Sequence, residues 1–228
     1  MADEKLITID ERDVNSGRIM EMTSPITLSD GVHIVVPSNY HALLIVEDKV
    51  VKTVRTSIKR RLGKILPSEY VGKKVRALYV NNRPFTSMSW GIGSLTITYD
   101  FLGGAVLNVG ANGTLVAQID DAYEFFKLFD KDEGTVNLTE CASAITAGFR
   151  RCASQVLVQM FSEADQPIFH TEFLVDELNR RINNRFCGMR IDCVVPGIIF
   201  KNATVAGIRV NEEDKIAMLE KYGNKKKK

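Results

Sequence analysis

Few residues in this sequence stand where chemistry would need them. Three histidines, His33, His41 and His170, are the whole stock of side chains that titrate unperturbed near neutral pH. His33 and His41 fall in strand-like runs and His170 at a helix start, and neither a G-x-S-x-G elbow nor a papain-like cysteine setting supplies them with a nucleophile. The four cysteines, Cys141, Cys152, Cys187 and Cys193, form no C-x-x-C pair and lie near no histidine at zinc-ligand spacing, so they read as buried free thiols. Asp120-Asp121 and Glu212-Glu213-Asp214 are the carboxylate groups closest to a pair or cluster, but each opens a predicted helix, where capping and the macrodipole favour acids. Gly91-Ile92-Gly93 has Thr96 where a third glycine would stand and runs into strand-like residues, and no P-loop is present. The expectation is a protein without catalytic residues, metal or cofactor.

The remaining chemistry is charge. Arg55, Lys59, Arg60, Arg61 and Lys64 crowd one short segment, and Lys225, Lys226, Lys227 and Lys228 end the chain. One reading is a solvated loop and a solubilising tail. The other is peripheral attachment to an anionic membrane, where basic clusters replace a hydrophobic anchor. With 30 basic against 28 acidic residues the whole chain carries only +2, too balanced to make nucleic acid the main partner. Trp90, the single tryptophan, has no basic-aromatic alternation around it and reads as a core or interface anchor rather than a base-stacking platform.

The elements that must position these residues are strands first and helices later. Runs at His33 to Val36, Ala42 to Val46 and Val50 to Val54, divided by Pro37-Ser38-Asn39 and Glu47-Asp48-Lys49, predict a small antiparallel meander. Further strands are predicted at Val75 to Val80, Phe85 to Trp90, Ser94 to Tyr99 and Ala105 to Ile119. The uncharged stretch from Phe101 to Ile119 is long enough to cross a bilayer, yet its glycines and amides suit a sheet strand better. After Asp120 the apolar period changes from two to 3.6. A short helix is predicted over Ala122 to Phe129, with Tyr123, Phe126 and Phe129 on one face. A long one, opened by an Asn137/Glu140 capping box, is predicted from about Leu138 to Ser162. A third covers about Phe169 to Phe186, with Phe173 or Leu174, Leu178, Ile182 and Phe186 inward and Gly188 as its stop. Strand character returns at Met189 to Val195 and again after Pro196-Gly197 to Val210. A last helix, capped by Asn211, runs to Tyr222.

Several of these segments carry a family likeness. Arg83-Pro84-Phe85-Thr86-Ser87-Met88-Ser89-Trp90-Gly91, the later Val109-Gly110-Ala111-Asn112-Gly113-Thr114, and the Ile119-Asp120-Asp121-Ala122 step resemble the central strands of the SPFH (Band 7) superfamily of stomatin, prohibitin and flotillin. The branch most similar is the bacterial and phage one described as virion core protein-like. Phe186-Cys187-Gly188-Met189-Arg190-Ile191 extends the likeness, which covers roughly Ile26 to Val210. The resemblance implies an α+β SPFH-like domain over 25–210, with a 1–24 extension before it and a short helix and lysine tail over 211–228. It also implies that Ala105 to Ile119 is one strand, with Asn112-Gly113 a bulge rather than a hairpin turn. Unlike the membrane-bound relatives, this sequence shows neither an N-terminal apolar segment nor Gly at position 2. The expected location is cytoplasmic, with peripheral contact at the inner face of the membrane.

The resemblance therefore implies a non-enzymatic scaffold that forms homo-oligomers and organises protein partners, at a membrane surface or in envelope stress. Its alternatives are a phage or viral structural or assembly component of the same fold and, further off, a nucleic-acid-binding or enzymatic protein.

Overall fold

The computed structural model describes residues 5–9, 18–55, 58–99, 105–128, 135–163, 171–189 and 195–225. The protein is a mixed α+β structure. It divides into two compact units, the first made of Met1–Pro84, Gln118–Ser143 and Val195–Ile198, the second of Phe85–Ala117, Ala144–Val194 and Ile199–Lys228.

The first unit holds two sheets. β1 (Lys5–Ile7), β4 (Val32–Ile34) and β7 (Arg60–Arg61) form one, in the order β1-β4-β7, with β1 and β4 parallel. β2 (Arg18–Met22), β3 (Ile26–Thr27), β5 (Tyr40–Val46), β6 (Lys49–Val54), β8 (Lys74–Asn81) and β11 (Thr135–Asn137) form the other, in the order β11-β2-β8-β5-β6 with β3 beside β8. β5 and β8 lie at its centre and are buried along nearly their whole length, as near-continuous apolar runs require. The β5–β6 hairpin turns on Glu47 (φ 51°) and Asp48 (φ 60°), two successive positive-φ residues that match the right-handed twist of the flanking strands. Lys73 pairs with Glu47 at 3.1 Å and Arg76 with Asp48, holding both turn residues. Tyr79, fully buried, donates its hydroxyl to the Val35 carbonyl at 2.8 Å and lies 3.1 Å from that of Ile7, so it links β8 to the β1-β4-β7 sheet; burial pushes its pKa up.

The predicted meander is only partly realised. Ala42 to Val46 and Val50 to Val54 pair as expected, but the first strand, β4, leaves them and joins β1 and β7. Pro37 lacks an N–H, and its carbonyl accepts from Tyr40 in a local turn, which redirects the chain instead of returning it in a hairpin.

The second unit is built on the sheet β12-β10-β9, from β9 (Phe85–Tyr99), β10 (Ala105–Ile119) and β12 (Ile198–Val210), with α2 (Leu138–Ser162, from Ala144 onward), α3 (Thr171–Phe186) and α4 (Glu212–Lys225). Ala105–Ile119 of the uncharged stretch thus supplies the central strand of this sheet, and residues 101–104 lie outside the described residues. Phe85 to Trp90 and Ser94 to Tyr99, expected as separate strands, are a single one. Continuity comes from two bulges, and both lie in β9 rather than at Asn112-Gly113, where one was expected. Leu95 pairs with Val109 and Ile92 with Ala111, leaving Gly93 and Ser94 opposite the single Gly110. Thr86 and Ser87 likewise face Val116 alone, with Ser87 at φ 59°. Asn112 and Gly113 pair regularly with Gly91 and Trp90. Gly110 fits the first bulge because a Cβ there would lie 2.8 Å from the Gly93 carbonyl oxygen and 2.9 Å from that of Ile92.

α2 keeps its predicted bounds and buries Cys141, Ile145, Phe149, Cys152, Val156 and Met160, the apolar face the spacing defines. α3 buries Leu178, Ile182 and Phe186, and α4 runs three residues past the predicted Tyr222. α1 (Ala122–Phe126) in the first unit is shorter than predicted and turned differently: Phe125 and Phe126 are buried and Tyr123 is exposed. Phe129, His170, Cys193 and residues 190–194 of the predicted Met189 to Val195 strand lie outside the described residues, as do the side chains of Asn137 and Phe173.

Candidate functional site

The basic segment is assembled by two buried leucines. β7 pairs antiparallel with β4, which sets Arg61 opposite His33. A single 3-10 turn, Leu62–Lys64, follows, and the amides of Ile65 and Leu66 both donate to the Leu62 carbonyl at 2.9 Å. Leu62 is completely buried, Leu66 nearly so, and Ile65 packs against the same core. Burying two leucines is worth about 2 kcal/mol each. The polar residues between and before them are thereby held outward, with Lys59, Arg60, Arg61 and Lys64 all exposed and Arg55 exposed just after β6.

Two hollows result. One, of about 540 Å³, is lined by His33, Ile58, Lys59, Arg60, Arg61, Lys64 and Ile65. The other, of about 320 Å³, is lined by Lys52, Thr53, Val54 and Arg55 together with the same Arg60, Lys64 and Ile65. Among the described residues no acid lines either, although Asp30 stands beside Gly63. Among the described residues no ion pair joins Arg55, Arg60, Arg61 or Lys64 to a carboxylate. At the rim Ile58 is 65% exposed, an apolar side chain set among cations. His33 contacts the Gly31 carbonyl through Nδ1 at 3.1 Å. Of the C-terminal lysines, Lys225 closes α4, and Lys226, Lys227 and Lys228 lie outside the described residues.

The other sequence candidates fall into structural places. Trp90 is 4% exposed, meets Phe149 edge-to-face at 5.3 Å and donates its Nε1–H to the Thr114 carbonyl at 3.1 Å. Asp121 caps α1, its Oδ1 accepting from the amides of Tyr123 and Glu124. Asn211 Oδ1 accepts from the Glu213 amide at the start of α4. Asp214 does more than capping required: its Oδ2 accepts from the backbone and side-chain amides of Asn108 at 2.7 and 3.1 Å, fastening α4 to β10. His41 is held by Asn82 through Nε2 at 3.1 Å while its buried Nδ1 has no partner among the described residues; burial, and after it Arg55, lowers its pKa. Burial likewise pushes the thiol of Cys141 up to about 12 and that of Cys187 to about 11. Among the described residues no group of three or more His, Cys, Asp or Glu could hold a metal ion.

Sequence reasoning missed how the second unit closes its sheet edges. On β12, Asn183 of α3 donates to the Ala203 carbonyl at 2.8 Å and accepts from the Ala203 amide at 3.0 Å, while Asn179, one turn earlier, accepts from the Val205 amide at 3.3 Å. Two side-chain amides at i, i+4 thus replace a neighbouring strand. On β9 two bulges break the regular course of the edge strand, and on β6 of the first unit Val51 is bulged between Val50 and Lys52. The legible signal was the Asn179-x-x-x-Asn183 spacing on an amphipathic helix.

No family model matches the chain, and no curated protein matches it. No described helix is long and apolar enough to cross a membrane.

Proposed function

We propose that this chain is a non-enzymatic, self-associating scaffold of the SPFH-like kind that gathers on an anionic membrane surface through its basic face. The observation that carries the reading is the convergence of Arg55, Lys59, Arg60, Arg61 and Lys64 around the exposed Ile58, held outward by the buried Leu62 and Leu66. A basic patch with an apolar side chain at its rim suits the interface, where charge meets anionic headgroups and the apolar group enters the acyl boundary. Association multiplies a weak single attachment through avidity. With the edges of β6, β9 and β12 bulged or covered, self-association in this reading does not run through those three strands but through other surfaces of the globular part.

Each cation close to such a surface contributes on the order of 1 kcal/mol. A variant with Lys59, Arg60, Arg61 and Lys64 changed to Ser should therefore co-float with phosphatidylserine vesicles roughly a thousand-fold more weakly than wild type at low salt. High salt should release the wild type as well, because the Debye length shrinks to about 3 Å at 1 M. Equal flotation on neutral vesicles, or none on anionic ones at low salt, would remove the membrane from the reading.

The self-association half is tested by native mass measurement at micromolar concentration, where oligomers are expected and a strict monomer counts against it. Removing 211–228 is the simplest way to ask whether the C-terminal segment is needed, and association through the globular part should largely survive. Because Met218 is buried and Asp214 binds Asn108, replacing the exposed Ile216 and Leu219 by Ser asks the same question without undocking α4.

A further inference from the structure

The two basic hollows are not independent. Arg60, Lys64 and Ile65 line both, so the Arg60 and Lys64 side chains form a ridge that can be reached from either side. Arg61 adds charge to the larger hollow, and Lys52 and Arg55 add it to the smaller. Both volumes, about 540 and 320 Å³, fall within the range of small-ligand sites. A monoanionic group can occupy one hollow and leave the cations of the other unmatched. A ligand with two or more phosphate groups on neighbouring atoms can place one in each hollow and share the ridge, with the guanidiniums donating in bidentate fashion and Lys64 acting as a point charge.

The geometry points to a binding site for a polyphosphorylated small anion, free or as a lipid headgroup, centred on Arg60 and Lys64. The inference deepens the membrane reading and rests on it in taking the same basic face as the working surface. It differs in requiring clustered phosphates rather than diffuse negative charge.

Inositol hexakisphosphate is the soluble probe, titrated calorimetrically into the full chain at physiological salt. The lipid probes are vesicles with phosphatidylinositol bisphosphate and vesicles with phosphatidylserine at matched surface charge. Wild type should bind inositol hexakisphosphate and should prefer the bisphosphate vesicles by about tenfold or more. Arg60→Gln with Lys64→Gln, which removes the ridge, should weaken soluble binding at least about twentyfold. Arg55→Gln, which touches only the smaller hollow, should weaken it about threefold, and Lys201→Gln on the exposed face of β12 should leave it unchanged. Circular dichroism of each variant separates lost binding from lost folding.

Equal attachment to both vesicle types with no soluble binding overturns the polyphosphate site while leaving the membrane reading intact. Soluble binding lost on changing the ridge, without flotation on any vesicle, supports the site and sinks the membrane reading. Inositol hexakisphosphate binding that survives Arg60→Gln with Lys64→Gln overturns the placement. Displacement of the probe by single-stranded DNA at equal phosphate concentration overturns the preference for clustered phosphates.

Discussion

Gly113→Ala should lower the thermal midpoint of the second unit by roughly 6 °C or more, the most damaging single methyl this sheet can receive. A Cβ on Gly113 would stand 1.9 Å from the Thr204 carbonyl oxygen and 3.0 Å from a ring carbon of Trp90. The first atom is backbone of the neighbouring strand, so no rotamer change relieves the overlap and either β10 or β12 must move. Overpacking that displaces backbone lies at or beyond the upper end of about 1–3 kcal/mol. Gly93→Ala is the matched control: it lies in the same sheet, nothing surrounds its Cβ position within 4 Å, and alanine there should shift the midpoint little. Differential scanning calorimetry of the two variants decides the matter. Equal losses would mean that Gly113 is needed for some reason other than the passage of β12.

The second large effect is expected from Trp90→Ala, at about 3–5 kcal/mol of unfolding free energy. Trp90 pairs across the strands with Gly113, and the missing side chain there leaves room for the indole. Its ring meets Phe149 of α2 at 5.3 Å and 66°, and Phe149 in turn meets Phe200 of β12 at 5.2 Å and 85°. Removing the indole opens a cavity at the end of this edge-to-face ladder and leaves the Thr114 carbonyl without its donor. Trp90→Phe should recover most of the packing and lose mainly the hydrogen bond, at about 1 kcal/mol. The measurement is urea unfolding followed by far-ultraviolet circular dichroism, since both variants lack the native fluorophore. Wild-type emission should be blue-shifted when folded and move to the red on unfolding. A Trp90→Ala variant with an unchanged urea midpoint would show that the ladder contributes nothing.

Period and punctuation were enough to place most elements. The 3.6 spacing from Leu138 to Ser162 returned α2 at the same residues, and Asn211 marked the start of α4, because amphipathic periodicity and N-cap chemistry act within a turn or two of chain. The turn at Glu47-Asp48 was legible for the same reason, whereas local signals left Asn112-Gly113 open as a hairpin turn within the run that forms β10. The basic cluster was visible as composition, but its shape was not. The hollows exist because Leu62 and Leu66 bury and because Arg61 is set against His33 across 28 positions of sequence. Partner choice between strands distant in sequence likewise escaped the local signals. β4 left the meander for β1 and β7, and both bulges settled in β9 although Asn112-Gly113 in β10 held the stronger turn signal. Local sequence sets what a segment can form at the scale of neighbouring backbone torsions. Which segment lies beside it, which edge is covered by Asn179 and Asn183, and which cations meet around Arg60 and Lys64 are settled only when nonlocal burial outweighs the loop entropy of bringing them together.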